Sequence, residues 1–129
     1  MSDSKSENKV LLITGAGKRV GATIARYCHL LGMRIAIHYR TSRSQATQLC
    51  CHLNQQRPDS ALSVGADLCK TTSLQHLIDT VINQWGRLDV LINNASSFYP
   101  TPFASATLDI WDDMMASNLK APFFLSQLA

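Results

Sequence analysis

The stretch that decides the fold is residues 10–21, Val-Leu-Leu-Ile-Thr-Gly-Ala-Gly-Lys-Arg-Val-Gly. Val10–Thr14 is a short continuous apolar run, which is typical of a strand buried on both faces of a sheet. Glycines stand at positions 15, 17 and 21, and apolar residues recur at helical spacing from Val20 onward. Glycine suits a tight turn because it has no Cβ. The stretch therefore predicts a buried strand, a glycine turn and the start of a helix.

The rest of the chain repeats this change between strand-like runs and helical spacing. Three further strands are predicted at Arg34–Tyr39, Ala61–Ala66 and Leu88–Asn93. The predicted apolar helix faces comprise Val20, Ile24, Tyr27, Cys28 and Leu31 in the first helix, Ala46, Leu49, Cys50 and Leu53 in the second, and Leu74, Leu77, Ile78, Val81, Ile82 and Trp85 in the third. A last helix is predicted from about Thr107 toward Ala129, with a kink at Pro122.

Turn and capping residues mark the ends of the predicted helices. Gly32 and Gly86 follow the first and third helices, as glycine commonly does. Ser42–Gln45 and Thr72–Gln75 have the spacing of a capping box at the starts of the second and third helices. The resulting order, β-α-β-α-β-α-β-α with short connections, predicts a parallel sheet with helices on both faces. We therefore expect an α/β fold, a Rossmann-like doubly wound sheet, in one domain over residues 1–129.

Composition limits the classes of function. The chain has 129 residues, of which 46% are hydrophobic, and a net charge of +3. No apolar run approaches the roughly 20 residues of a membrane span, and the polar start Met1–Lys9 is unlike a signal peptide. We therefore expect a cytoplasmic protein that does not bind membranes. We also expect no nucleic-acid partner, since so small a charge rarely suffices to bind nucleic acid.

The cysteines point to the same compartment. Cys28, Cys50, Cys51 and Cys69 contain no CxxC pair and no framework spacing. A metal site built from Cys50, Cys51 and His52 is disfavoured, because consecutive residues of a helix point in different directions. We therefore expect reduced thiols that pack as small hydrophobic groups, and no metal site.

The glycine turn lies where a parallel sheet can bind a dinucleotide, directly after the first strand. Glycine lets the pyrophosphate approach the backbone, and the start of the next helix offers unpaired N–H groups. A glycine-rich turn alone is weak support, since tight turns use glycine for steric reasons as well. Its place in a β-α-β unit makes nucleotide binding the favoured interpretation.

The end of the second predicted strand indicates which cofactor binds. His38–Ser42 contains no carboxylate, whereas an NAD site usually has one there for the ribose 2′-hydroxyl. Arg40, with Lys18, Arg19 or Arg43 and the hydroxyl of Ser42, is suited to a 2′-phosphate. The alternative is that these are solvated surface charges. We expect NADPH/NADP rather than NADH/NAD.

These motifs together resemble the short-chain dehydrogenase/reductase family. The resemblance rests on Thr14–Gly21, on Asp67-Leu68 after the third strand, and on Asn93-Asn94-Ala95 after the fourth. Arg19 replaces the middle glycine of the common TGxxxGxG loop, as it does in pteridine reductases. His38–Arg40 and the run Asn93–Pro102, NNASSFYPTP, are also similar to pteridine reductases.

The resemblance implies roles for individual residues. The implied cofactor-binding residues are Gly15, Gly17, Lys18, Arg19, Val20 and Gly21 in the first loop, His38, Tyr39, Arg40, Thr41 and Ser42 after the second strand, Asp67 and Leu68 after the third, and Asn94, Ala95 and Ser96 after the fourth. Asp67 is expected to bind the adenine amino group, or simply to cap the following turn. Ser96 and Phe98 are expected to bind a pterin, although Phe98 can also be read as a core aromatic. Asn118 is expected in the catalytic proton relay, or to be an ordinary helix residue.

The family's catalytic pair, a tyrosine with a lysine four residues later, does not occur in the chain. Tyr27, Tyr39 and Tyr99 are followed at that spacing by leucine, arginine and phenylalanine. We therefore expect the cofactor-binding half of an NADPH-dependent reductase of pterins or folates, inactive on its own. The alternatives are a broad-specificity carbonyl reductase and a non-catalytic NADP(H)-binding module. An open apolar edge at Val90–Ile92 favours a homo-oligomer, as a dimer or swapped assembly, and the resemblance implies a tetrameric parent.

Overall fold

The computed structural model describes residues 8–17, 19–94, 107–109, 112 and 126–127. Strands and helices alternate in these residues as the sequence predicts. The elements are β1 (Val10–Ile13), α1 (Arg19–Leu30), β2 (Arg34–Tyr39), α2 (Arg43–Gln56), β3 (Ala61–Gly65), α3 (Thr71–Trp85) and β4 (Val90–Ile92). The predicted last helix lies almost entirely outside the described residues.

The four strands form one parallel sheet in the order β3-β2-β1-β4. At its centre, Leu12 of β1 is opposite Ala36 of β2 and Leu91 of β4. At the other side, Tyr39 of β2 is opposite Gly65 of β3. The predicted α/β, Rossmann-like doubly wound sheet is confirmed, and all four strands point their carboxyl ends toward the same edge.

The side chains of β1 divide the core into two layers. Leu11 and Ile13 pack with α1 and α2 on one face, whereas Val10 and Leu12 pack with α3 on the other. All four side chains are fully buried, and each such burial stabilises the fold by about 1.5–3 kcal/mol relative to exposure. A continuous apolar run is therefore needed in β1, because both faces of this strand lie inside the protein.

The face that α1 turns toward the sheet differs from the prediction. Val20 and Tyr27 were expected on the apolar face, but they are 65% and 63% exposed. The buried positions are mostly small, Gly21, Ala22 and Ala25. Small side chains let the helix backbone approach the sheet closely, so the helix orientation follows close packing rather than the bulkiest apolar residues. On α3, Ile82 is likewise 39% exposed, at the margin of an otherwise buried face.

The capping boxes are only partly present in the structure. Ser42 is the N-cap of α2, but its side chain makes no capping hydrogen bond. Helix α3 has Lys70 as its N-cap and begins at Thr71, so the predicted start at Thr72 is wrong. The reason is a turn at Asp67, whose carboxylate accepts from the Cys69 N–H at 3.0 Å and whose carbonyl accepts from the Lys70 N–H at 3.1 Å. This turn leads directly into the helix.

A polar cluster closes the opposite edge of the sheet, where β2 and β3 begin. Buried Ser60 donates its hydroxyl to the Arg57 carbonyl and lies 2.7 Å from Nε2 of His29. The Arg57 guanidinium donates to the carbonyls of His29, near the end of α1, and Met33, directly before β2. The Asn54 amide binds the backbone at the start of β3. We call His29, Asn54, Arg57 and Ser60 the amino-edge cluster.

Helices in the described part of the chain are all too short or too polar to cross a bilayer. Cysteines 50 and 51 point in different directions on α2, since Cys50 is half-buried and Cys51 is exposed. Among the described residues, no three His, Cys, Asp or Glu side chains are grouped so that they could hold a metal ion.

Candidate functional site

The predicted cofactor-binding segments meet at the carboxyl edge of the sheet. The Thr14 N–H donates to the Ile92 carbonyl at 3.1 Å, and the Ala16 N–H donates to the His38 carbonyl at 2.9 Å. The Ala66 N–H donates to the Tyr39 carbonyl at 3.1 Å. These bonds link the glycine turn, the end of β2, and the segments after β3 and β4 into one continuous surface.

Steric crowding explains two glycines, Gly17 in the turn and Gly21 in the first turn of α1. A Cβ on Gly21 would lie 2.6 Å from the Gly15 carbonyl oxygen and 2.7 Å from the Asn94 amide nitrogen, so only glycine fits. A Cβ on Gly17 would lie 3.1 Å from the Ser42 Cβ, which is also closer than side chains normally pack. Because of these contacts, the start of α1 sits directly against the turn, where its N–H groups can face an anion.

Thr14 and Asn94 hold the turn against the end of β4. The Asn94 N–H donates to the Thr14 hydroxyl at 3.0 Å, and the Asn94 side chain donates to the Gly15 carbonyl at 3.1 Å. Thr14 is 1% exposed. Asn94, predicted to line the cofactor, thus supports the glycine turn. The anchoring hydroxyl of Thr14 was not predicted, although a polar residue at the end of a fully buried strand is a signal for it.

His38 connects the turn to the segment after β3. Its ring is 1% exposed. Nδ1 accepts from the Gly15 N–H at 3.0 Å, and Nε2 is 2.8 Å from the Ala66 carbonyl oxygen, to which it donates. Burial lowers the pKa of His38, and the bond to Ala66 partly opposes that shift. His38, predicted to bind the cofactor, therefore has both ring nitrogens hydrogen-bonded within the protein.

Arg19 has an unusual backbone conformation at the end of the turn. Its φ is 59°, in the left-handed region that favours glycine, and an L-residue there costs about 1–2 kcal/mol. Its side chain is exposed. It contributes to a groove of about 570 Å³ between α1 and α2, whose other polar lining residues are Thr23, Arg26, Gln45, Gln48 and His52.

An acidic residue lies beside Arg40, contrary to the expectation of a purely basic cluster. The Arg40 Nε is 4.0 Å from the Asp67 Oδ1, with the two side chains 50% and 36% exposed. The β2–β3 register is the reason, since Tyr39 pairs with Gly65 and the residues that follow both strands leave the sheet side by side. Asp67 also caps its own turn through Cys69, which was the alternative role considered for it.

The remaining predicted residues divide into those that the structure describes and those that it does not. The Tyr39 ring lies against Gly65 of β3, where a Cβ would come within 2.9 Å of the ring. Leu68 is buried, whereas Val20 and Thr41 are exposed and Ser42 is half-buried. Lys18, Ala95, Ser96, Phe98 and Asn118 lie outside the described residues.

Comparison with known proteins gives the family. The family description short chain dehydrogenase matches residues 9–129. The chain is 36% identical to pteridine reductase 1 of Leishmania tarentolae, over 90% of this chain and 51% of that protein. It is 30% identical to a hydroxynaphthalene reductase of Aspergillus fumigatus, over 94% of this chain and 44% of the relative. It is 29% identical to a 3-oxoacyl-[acyl-carrier-protein] reductase of Staphylococcus epidermidis, over 90% and 47%.

The matches cover nearly all of this chain but only part of each relative. The chain spans about half the length of the curated relatives that it matches. The family match covers nearly the whole chain and includes the glycine turn, the basic end of β2 and the segments after β3 and β4. The chain belongs to the short chain dehydrogenase family.

Proposed function

We propose that the chain forms the NADP(H)-binding part of a reductase that transfers hydride to a pterin or folate. The observation that carries this proposal is Arg19. A side chain that keeps a strained backbone at the start of α1, where glycine would relieve the strain, is best explained by a ligand. Its position at a helix N-terminus beside a glycine turn suits the phosphates of a dinucleotide.

The geometry of the carboxyl edge supports a nucleotide in this place. Gly21 has no room for any larger residue, so the start of α1 lies directly against the glycine turn. A dinucleotide in this family fold lies across the carboxyl ends of the strands, with its pyrophosphate at the start of α1. When bound, NADPH supplies the hydride, and the residues of this chain orient it and neutralise its phosphates.

The end of β2 supports a cofactor with a 2′-phosphate. Arg40 is half-exposed, and Ser42 caps α2 without a side-chain bond to the helix. A guanidinium carries five donors, so the pairing of Arg40 with Asp67 is compatible with phosphate binding. Asp67 in turn remains suited to the adenine amino group, because one carboxylate oxygen can accept more than one hydrogen bond.

The substrate class rests on a resemblance and on one relative. The protein named pteridine reductase 1 is the relative with 36% identity, and the predicted pterin contacts Ser96 and Phe98 and relay residue Asn118 remain expectations. A carbonyl reductase is the second candidate, because a hydroxynaphthalene reductase and a 3-oxoacyl reductase also match. We also propose a cytoplasmic homo-oligomer, and the exposed Val90 of β4 is an apolar residue that a neighbouring segment or subunit would cover.

Calorimetric titration of the chain with NADP⁺ and NAD⁺ at two salt concentrations tests the cofactor assignment. We expect preferential, salt-sensitive binding of NADP⁺. Arg40→Ala should weaken NADP⁺ binding about tenfold, since a charge-assisted hydrogen bond contributes about 1.5–3 kcal/mol, and should leave NAD⁺ binding unchanged. Arg34→Ala, at the opposite end of β2, is the matched control and should affect neither.

A second variant tests the observation on which the proposal rests. Arg19→Gly should raise the free energy of unfolding by about 1 kcal/mol by relieving the left-handed strain, while weakening the binding of both cofactors about tenfold. Equal binding by Arg19→Gly and the wild-type chain, or a preference for NAD⁺, would contradict the proposal. Turnover of dihydropterins against ketones, by a protein that joins this chain to the remaining half present in its relatives, separates the two substrate classes.

A further inference from the structure

A polar ring lies inside the most apolar part of the sheet. His38 is on β2 between β1 and β3, directly after Ile35, Ala36 and Ile37, which are all fully buried. Burying an imidazole is costly unless its nitrogens are hydrogen-bonded. Both nitrogens of His38 are bonded, and the partners come from two different neighbouring segments, the glycine turn and the segment after β3. His38 thus joins two loops that its own strand separates.

The partners of His38 fix the chemical form of the ring. A backbone N–H can only donate, so Nδ1 must carry a lone pair toward Gly15. A carbonyl can only accept, so Nε2 carries the proton toward Ala66. The ring is therefore neutral with its proton on Nε2. An imidazolium would direct an Nδ1–H at the Gly15 N–H, and that hydrogen bond would be lost.

Gly15 is held from both of its polar groups. Its N–H binds His38 on β2, and its carbonyl accepts from the Asn94 side chain after β4. The φ of Gly15 is 65°, in the left-handed region that glycine adopts readily. The position of the glycine turn is consequently set by side chains from the strands on either side of β1.

We propose that His38 is a positioning residue for the cofactor, and that the contacts Gly15–His38–Ala66, the His38 bridge, set the spacing between the pyrophosphate and adenine parts of the site. The proposal rests on the proposed function, because it needs a dinucleotide to span the two loops. The segment that begins at Ala66 contains Asp67 and Leu68, the residues expected at the adenine. Protonation of His38 breaks the bridge at Gly15 and weakens cofactor binding.

The charged and titratable groups around the ring are not the cause of the lowered pKa of His38. By strand alternation, His38 faces the same side of the sheet as Ala36, which packs with α3. The titratable groups on the surrounding described elements are Arg19, Tyr39, Arg40, Asp67, Cys69, Lys70, His76 and Asp79. The lowered pKa of His38 follows from burial, opposed by the Ala66 bond. Protonation is thus resisted by the site itself.

Two substitutions separate the two halves of the bridge. In His38→Asn, the amide oxygen takes the place of Nδ1 and keeps the Gly15 bond, but the Ala66 bond is lost. In His38→Gln, the longer amide takes the place of Nε2 and keeps the Ala66 bond, but the Gly15 bond is lost. Amide hydrogen exchange of the cofactor-free chain reads the bridge directly. We expect the Gly15 amide to exchange at least tenfold faster in His38→Gln than in His38→Asn.

Cofactor binding provides the functional test. The NADP⁺ affinity of the wild-type chain should fall between pH 8 and pH 5.5 relative to that of His38→Asn, which has no titrating ring. The ratio of the two affinities cancels the titration of the cofactor's own phosphate. A merely structural role of His38 would lower the affinity of the variant by one factor at every pH. His29→Asn, at the other buried histidine, is the control and should leave the ratio to wild type constant.

The outcomes distinguish the bridge from the proposed function. Gly15 exchange that is the same in His38→Gln and His38→Asn contradicts the bridge. If a variant does not fold, amide exchange of the wild-type chain between pH 7.5 and 5.5 tests the bridge. The protection factor of the Gly15 amide should then fall relative to that of the Ile37 amide, and an unchanged ratio contradicts the bridge. Constant affinity ratios with normal NADP⁺ binding overturn the proton-dependent role alone. Absence of NADP⁺ binding by the wild-type chain overturns the proposed function and the cofactor role, while exchange still reports whether the bridge exists.

Discussion

The two buried histidines lie at opposite edges of the sheet and have different partners. His38, at the carboxyl edge, is 1% exposed and binds backbone groups of two loops that we propose bind the cofactor. His29, at the amino edge, is 2% exposed and binds Ser60 inside a cluster of side chains. Burial lowers the pKa of both rings. The amino edge is thus closed by contacts among side chains, whereas at the carboxyl edge side chains hold the backbone of the loops in place, where a ligand binds in folds with parallel strands.

Among substitutions that test this difference between the two edges, Gly21→Ala is expected to have the largest effect on stability and binding. Gly21→Ala places a Cβ 2.6 Å from the Gly15 carbonyl oxygen and 2.8 Å from the Ala16 Cα, and these backbone atoms cannot move aside at little cost. Overpacking of this kind costs about 3 kcal/mol, and we expect NADP⁺ binding to be lost as well. Urea unfolding and calorimetry measure the two effects. Gly86→Ala is the control, since it meets nothing within 4 Å and carries only a strained φ of 75°.

A change in the amino-edge cluster should separate stability from binding. Ser60→Ala removes the hydroxyl that bonds to Leu53, Arg57 and His29 and leaves Nε2 of the buried His29 without that partner. An unsatisfied buried polar group costs about 1–3 kcal/mol. We expect a lower free energy of unfolding by that amount and an unchanged NADP⁺ affinity at temperatures where the variant is folded. A parallel loss of affinity would show that the two edges are not independent.

The sheet could be predicted because its information is local. Val10–Ile13 and the apolar spacing of α3 identify their elements without reference to distant residues. The predicted buried face of α1 was wrong for Val20 and Tyr27. The helix approaches the sheet at Gly21, against Gly15 and Asn94, and only the folded chain brings these residues together. Periodicity predicts a helix, but it does not show how near the helix lies to the sheet.

The candidate site was predicted in its segments but not in its contacts. The sequence placed a glycine turn and a basic strand end at one edge, and the structure brings them together. It did not predict that Asp67 would lie beside Arg40, since the β2–β3 register makes them neighbours across 27 positions of sequence. His38 in the strand Arg34–Tyr39 was a signal, because a polar ring in a buried strand requires partners. Which partners it has depends on strand order.

The smallest effect, and the one that compares both edges in a single measurement, is the pH dependence of stability. Both histidines have pKa values lowered from about 6.5 in the folded chain, so the unfolded state binds protons that the folded state does not. Their stabilising contribution is complete above the unfolded pKa of about 6.5 and is lost as the pH falls from there through the lower pKa values of the folded chain. The free energy of unfolding should therefore be constant from pH 8 to 7 and decrease toward pH 5.5. His29→Asn should reduce that decrease while leaving the pH dependence of NADP⁺ binding intact. His38→Asn should reduce both, because only its protonation reaches the glycine turn.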